Sequence, residues 1–507
     1  MGRTKQGIEW LIERVGRMID LAEAKKQVLF SLPLILTNAA FYFILLVSVM
    51  FAGHIGDLEL TASNLGNSWA AVTGFCLMVI SHPSGSQRRG SPTANRDDHD
   101  GPTIIYYELG DGSRFAVGLS GALETLCGQR FGAGMYRIMG VYLQASCIIS
   151  LIFSLLVSVL WFYSDTVLTL LHQKPQIADS AGLYLKYLVP ALFAYGLLQN
   201  MIRFVQTQSI AMPLLVCSIV PLVLHIGIAY ALVNFSTLGY KGAPLAASIS
   251  LWIAVFMLAS YLLTANKFKY TWDGFTLESL SHIWPTLKTA LPSAAMVCLE
   301  YWAFEILVLL AGLMPNSELS TSLIAMCVNT ETITYMIAYG LSAAASTRVS
   351  NELGAERPDR AKLAMHVTLK LTIIIALVVV LALCAGHNLW ASTFSSNPVI
   401  IDAFASMTPF LVVSMLCDFV QGILSGVARG CGWQHLVVCI NLGGFYCIGM
   451  PVAVLLAFKT TLHAKGLWIG LICGLSVQTI GLFLLSKYTK WKKIEMAKDT
   501  EGLEYIG

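Results

Sequence analysis

The stretch GLSAAASTRVSNELGA (Gly340–Ala355) has a near copy, GLSGALETLCGQRFGA, at Gly118–Ala133. The two share Gly, Leu, Ser, Ala, Thr and the closing Gly-Ala, and 340 minus 118 sets their offset at 222. Later matches hold near that value: Pro190 with Pro409 is 219, and Lys241-Gly242 with Lys465-Gly466 is 224. Earlier matches do not. Leu32-Pro33 pairs with Leu291-Pro292, Ala52-Gly53 with Ala311-Gly312, and Glu59-Leu60 with Glu318-Leu319, all at 259. The chain is therefore duplicated end to end, and its first half carries 259 minus 222, or 37, extra residues. They fall at 81–117, where apolar sequence gives way to Pro, Gly, Ser and charge, as in SHPSGSQRRGSPTANRDDHD. That composition predicts a disordered segment interrupting the second apolar run.

What the halves are follows from their composition. The chain has 507 residues, 56% of them hydrophobic and only 12% charged, with mean hydropathy +0.69. This is too much apolar surface for one water-soluble core. Runs of about 20 apolar residues recur, and in lipid each backbone must satisfy its own hydrogen bonds, so the runs are helices. The fold class expected is an all-α polytopic membrane protein with about 12 transmembrane helices, in two six-helix bundles related by the repeat.

The divisions expected are an N-terminal tail at 1–27 and a first bundle at 28–264 containing the 81–117 insertion. An inter-lobe linker at 265–289, a second bundle at 290–486 and a C-terminal tail at 487–507 follow. With both termini cytoplasmic, 23 of the 32 Lys and Arg fall inside, 5 outside and 4 in the insertion. This is the asymmetry of an even number of spans. The basic residues are explained by topology. The basic tail lacks the apolar core and cleavage site of a signal peptide. A net charge of +3 gives no reason to expect nucleic acid. The cysteines form no CxxC pair and read as packing residues, and the scattered histidines offer no metal site.

Four acidic residues fall inside the spans: Glu300 and Glu305 in the seventh, Glu331 in the eighth and Asp418 in the tenth. A charge at mid-bilayer costs about 2.5–3.5 kcal/mol on insertion scales, so their retention asks for a function. Their mates in the first half are Phe41, Leu46, Val72 and Gln199, none of which ionises. Membrane-depth acidity is thus confined to the second half. Desolvation disfavours the charged form of a carboxylate, so such a group can exchange a proton and hand one site between proton and substrate. Glu305 lies about 140° around the helix from Glu300 and is expected to face elsewhere. Tyr301, Trp302 and Tyr335 are candidates to stack on an aromatic or cationic substrate; Gln199 and Asn200 are candidate polar contacts from the first half. Arg348, Asn351 and Glu352 are expected to position the turn after the eighth span.

The motifs ALETLCGQRFGAG, LPSAAMVCLEYWAFEILVLLAGLMPN, GLSAAASTRVSNELGA and LSGVARGCGWQ resemble those of the MATE (multidrug and toxic compound extrusion) family, in its plant branch, over about 28–486. The resemblance implies two six-helix bundles around a central cavity and export of organic solutes in exchange for cations. It points to Glu300 and Asp418 as the proton-coupling pair, with Glu331 beside them. Three departures stand out. Glu124 occupies a position where plant relatives usually have Asp, the 81–117 block is extra, and the first span carries no acid like that of some bacterial members.

The function expected is a proton-coupled antiporter exporting organic cations, xenobiotics or secondary metabolites by alternating access. It needs no cofactor beyond the proton as coupling ion. Its partners are a small organic substrate and the lipid bilayer, and it works as a monomer in the plasma or vacuolar membrane. The alternative is a non-transporting or impaired splice or gene-model variant, because 37 residues interrupt the second helix. A membrane enzyme is disfavoured, since no catalytic constellation appears at helix depth.

Overall fold

The computed structural model describes residues 20–73, 113–170, 174–314, 317–394, 397–489 and 491. Among these there is no strand. The long helices are α1 (Leu21–Gly53), α2 (Asp57–Thr73), α3 (Ser113–Gly132), α4 (Tyr136–Phe162), α5 (Pro175–Thr207), α6 (Met212–Asn234) and α7 (Gly242–Thr264) in the first lobe. The second lobe holds α8 (Ile283–Ala311), α9 (Ser317–Gly354), α10 (Pro358–Ser392), α11 (Pro398–Cys431), α12 (Gln434–Lys459) and α13 (Ala464–Tyr488). Ten of them are long and apolar enough to cross a membrane. The other two crossings are α9, diluted by its polar residues, and the split pair α2 and α3. The described helices thus account for about twelve spans in two lobes.

Several boundaries move for physical reasons. The α1 helix starts at Leu21, inside the expected tail, because the Asp20 carboxylate accepts hydrogen bonds from the amides of Ala22 and Glu23 at 3.0 and 3.2 Å and so caps it. The α8 helix starts at Ile283, inside the expected linker, and α13 runs to Tyr488. The α3 helix begins at Ser113, so the last five residues assigned to the insertion are helical; the rest of that block lies outside the described residues. Proline sits at the first turn of α5, α10 and α11, where no amide partner is lost. Gly432, at φ 80°, takes the left-handed conformation that ends α11.

Each lobe has its own apolar core. Trp161, Tyr184 and Phe204 are buried in the first; Phe404, Phe445 and Trp468 in the second. The repeat reappears as paired interior prolines, Pro33 with Pro292 and Pro190 with Pro409, each removing one helical hydrogen bond. It also explains the Lys-Gly matches. A Cβ on Gly242 would stand 2.7 Å from the Leu232 carbonyl carbon, and one on Gly466 2.7 Å from that of Leu456. Each of these helices begins pressed against the backbone of the one before it. We expect Gly466→Val to destabilise the protein by about 1–3 kcal/mol through overpacking, read as a lowered thermal midpoint in detergent; an unchanged midpoint would contradict this packing.

The two copies of the repeated stretch meet each other. Both described chain ends lie at one end of the molecule, here called proximal, and there α3 crosses α9. A Cβ on Gly132 would lie 2.8 Å from the Asn351 carbonyl carbon, and one on Gly354 2.7 Å from that of Gln129. Gln129 and Asn351 are repeat mates, as are Gly132 and Gly354, so the contact is reciprocal. The mates also act alike: Gln129 Nε2 donates to the Gly430 carbonyl at 3.1 Å, and Asn351 Nδ2 to the Thr207 carbonyl at 3.0 Å.

Candidate functional site

A cavity of about 140 Å³ lies between the lobes, walled by α1, α5, α8, α9 and α11. Of the residues singled out from sequence, Glu300, Tyr301, Glu331, Tyr335, Asp418 and Gln199 line it. Gln199 and Phe41, the mates of Asp418 and Glu300, face it from the first lobe, so the repeat places an uncharged half opposite an acidic one. Two candidates lie elsewhere. Asn200 is fully buried and its Nδ2 donates to the Ser146 carbonyl, Ser150 Oγ and the Gly196 carbonyl at 3.2, 2.8 and 3.0 Å, a tie within the first lobe. One residue's rotation from Gln199 turns it away from the cavity. Trp302 packs against Cys298 and Tyr301 and is outside the lining. Glu305 also stays out of the lining; it accepts a hydrogen bond from the Tyr301 hydroxyl.

Glu300 and Asp418 are joined by a residue the sequence reading passed over. Gln421 Nε2 donates to Glu300 Oε1 and Asp418 Oδ1, both at 2.7 Å. An amide nitrogen has two hydrogens, so it serves one oxygen on each. Gln421 is itself held, its Oε1 accepting from Ser425 Oγ at 3.1 Å. The second oxygen of Glu300 accepts from Gln478 Nε2 at 3.2 Å, and that amide also donates to Asn441 Oδ1 at 3.0 Å. Asn441 Nδ2 and the Tyr446 hydroxyl then donate to the Met296 and Leu299 carbonyls at 2.9 and 3.0 Å. Tyr446 lies in a π-helical turn of α12, Leu442–Gly449, of the kind that often marks functional positions. One signal was available: Gln421 follows Asp418 by three residues on the same helix and therefore shares its face.

Glu331 is different. It is 2% exposed, and its carboxyl group lies buried beside Asp418 and the Ser414 hydroxyl. The aromatic wall is broad: Phe41, Tyr42, Tyr195, Tyr301, Phe304, Tyr335 and Tyr339. Among the described residues no group of three His, Cys, Asp or Glu side chains could hold a metal ion.

Two charges counted as topology are buried instead. Arg203 and Arg429 are 3% and 6% exposed and both pair with Glu124. Arg348 reaches across to Glu23 at 2.9 Å and along its own helix to Glu352 at 3.2 Å, which ties the start of α1 to the end of α9. Of the three residues expected to position the turn after α9, Arg348 and Asn351 tie α9 to α1 and α5, while Glu352 lies 3.9 Å from Arg357 beyond the turn.

Two helical lobes enclosing a cavity with acidic and aromatic walls have the form of a membrane transporter. The comparisons identify the kind. The MatE family model matches residues 112–231 and 292–455. Protein DETOXIFICATION 18 of Arabidopsis thaliana is 52% identical over 95% of this chain and 95% of its own length. Protein DETOXIFICATION 17 of the same plant is 40% identical over 93% of this chain and 91% of its own. The crystal structure of the eukaryotic MATE transporter AtDTX14 superposes with TM-score 0.83 at 34% identity, covering 94% of this chain and 97% of that one. A multidrug resistance MATE transporter solved in an outward-facing conformation shares the fold at 18% identity and TM-score 0.74, covering 92% and 95%. The chain belongs to the MATE family.

Proposed function

We propose that this transporter is a proton-coupled antiporter exporting organic cations, xenobiotics or secondary metabolites by alternating access, with the proton as coupling ion and no other cofactor. The observation that carries the reading is the pairing of Glu300 and Asp418 by one amide at the wall of the inter-lobe cavity. A carboxylate pair there holds a proton or a cationic ligand, and the two compete for the same oxygens. Glu331, buried close to Asp418 and the Ser414 hydroxyl, is the third acid in that exchange. The aromatic faces suit a flat or cationic organic body, each well-placed ring contributing about 0.5–2 kcal/mol. Binding that favours one state of the two lobes shifts their equilibrium.

The same reading makes the protein a non-enzymatic monomer of the plasma or vacuolar membrane, with both termini cytoplasmic. The alternative, an impaired variant, gains no support from the described part of the split span. Glu124 on α3 is fully paired with residues of α5 and α11, so this half of the span is packed in place.

The test is the full chain in proteoliposomes with an imposed pH gradient and a panel of cationic dyes, alkaloids and flavonoids. Substrate movement should accelerate at least about tenfold with the gradient and release lumenal protons in exchange. A panel that moves no faster with the gradient than without it would overturn proton coupling.

A further inference from the structure

We propose that Glu124, Arg203 and Arg429, together with Tyr339, form the latch that holds the proximal side of the cavity shut, and that they are positioning residues of the transport cycle. The proposal rests on the alternating-access reading above.

Glu124 on α3 takes Arg203 Nη1 of α5 on one carboxylate oxygen at 2.8 Å and Arg429 Nε of α11 on the other at 3.3 Å. The side chains are 2%, 3% and 7% exposed. The second lobe replies from α9: the Tyr339 hydroxyl bonds Arg203 Nη2, its ring lies 5.4 Å from that guanidinium, and Ser342 Oγ accepts from Arg429 Nη2 at 3.0 Å. Both lobes are therefore stitched by the same three charges. Arg429 and Tyr339 also line the cavity, so the cluster is its floor. Beyond it lies the reciprocal glycine contact of α3 with α9, which closes the same end.

Two properties make this a latch rather than a simple brace. A buried ion cluster is stable when complete and strongly unfavourable when one member is removed, since a charge is left unpaired away from water. Separating the lobes at this end would let water hydrate all three charges, so paired-and-dry and parted-and-wet are two discrete states. The cluster also holds two positive charges against one negative. Without Glu124 the guanidiniums face each other unopposed across the interface and favour separation.

The measurement is hydrogen–deuterium exchange on the full-length protein in proteoliposomes, at equal pH on both sides and without substrate. It is thus independent of which ion drives transport. Glu124→Gln should speed backbone exchange in 118–132 and 340–354 by about tenfold or more, while the distal helix ends at 45–53 and 303–311 change less than about twofold. Glu124→Asp should restore exchange close to that of the parent. Tyr339→Phe, which removes one hydroxyl and leaves the charges paired, should give a smaller rise confined to the same two segments, and it stands as the test should Glu124→Gln fail to fold. Unchanged exchange in those segments, or an equal rise at both ends of the molecule, overturns the latch.

Discussion

Glu300→Gln and Asp418→Asn should each cut proton-driven efflux on the order of a hundredfold or more while leaving insertion and thermal stability nearly intact. The expectation follows from the geometry around Gln421. Each substitution keeps the side-chain shape and a carbonyl oxygen to receive the Gln421 amide's hydrogen bond at 2.7 Å, and Glu300→Gln gives up only the longer bond from Gln478 at 3.2 Å, so packing persists. What is lost is the capacity to ionise, and with it the exchange of a proton for a cation. Interactions that act as a unit fail together when one member goes, so the double variant should be little worse than either single one. Gradient-driven uptake into vesicles measures this directly. Parent-level uptake by either variant would remove the carboxylate pair from the mechanism.

Gly132→Leu and Gly354→Leu should be almost as damaging by a different route. At both positions a Cβ would lie under 3.0 Å from backbone carbon atoms of the opposite lobe, which cannot rotate aside as a flexible side chain does. Overpacking of this kind costs about 1–3 kcal/mol where neighbours can adjust, and here the adjustment is separation of α3 from α9. Transport should fall at least about tenfold, with a lowered thermal midpoint, and either substitution should act like the other because the contact is reciprocal. A Gly354→Leu protein that transports normally would show that the two helices need not touch during the cycle.

Much of this architecture was legible in the sequence because duplication leaves a record that needs no physics beyond alignment. The repeat paired the interior prolines and marked Gly242 and Gly466, whose shared reason turned out to be contact with the preceding helix. Glu300, Glu331 and Asp418 were legible because a carboxylate in hydrocarbon is costly enough to demand a purpose. Residues that cost less gave weaker signals. Gln421, Gln478 and Asn441 are uncharged amides whose partners lie on other helices, and spacing alone joins none of them except Gln421 to Asp418. The Glu124 cluster was hidden for another reason. Arg203 and Arg429 stand near span ends, where orientation of the chain in the bilayer accounts for basic residues, and Glu124 is 305 positions from Arg429. Neighbouring positions also divide sharply: Gln199 faces the cavity and Asn200 a helix of its own lobe, a difference set by side-chain direction and not by residue type.

The meeting of α3 with α9 has the form of a homodimer contact whose two subunits were fused into one polypeptide. In such an isologous contact each patch is its own partner, and the symmetry axis runs through the interface. Rocking about that axis carries both halves equally, so a chain built on symmetry alone would have no preference for which half reads a signal. Here the acids that line the cavity, Glu300, Glu331 and Asp418, all lie on one side of the axis. The scaffold supplies the reciprocity, and the breaking of its symmetry by three acids supplies the direction.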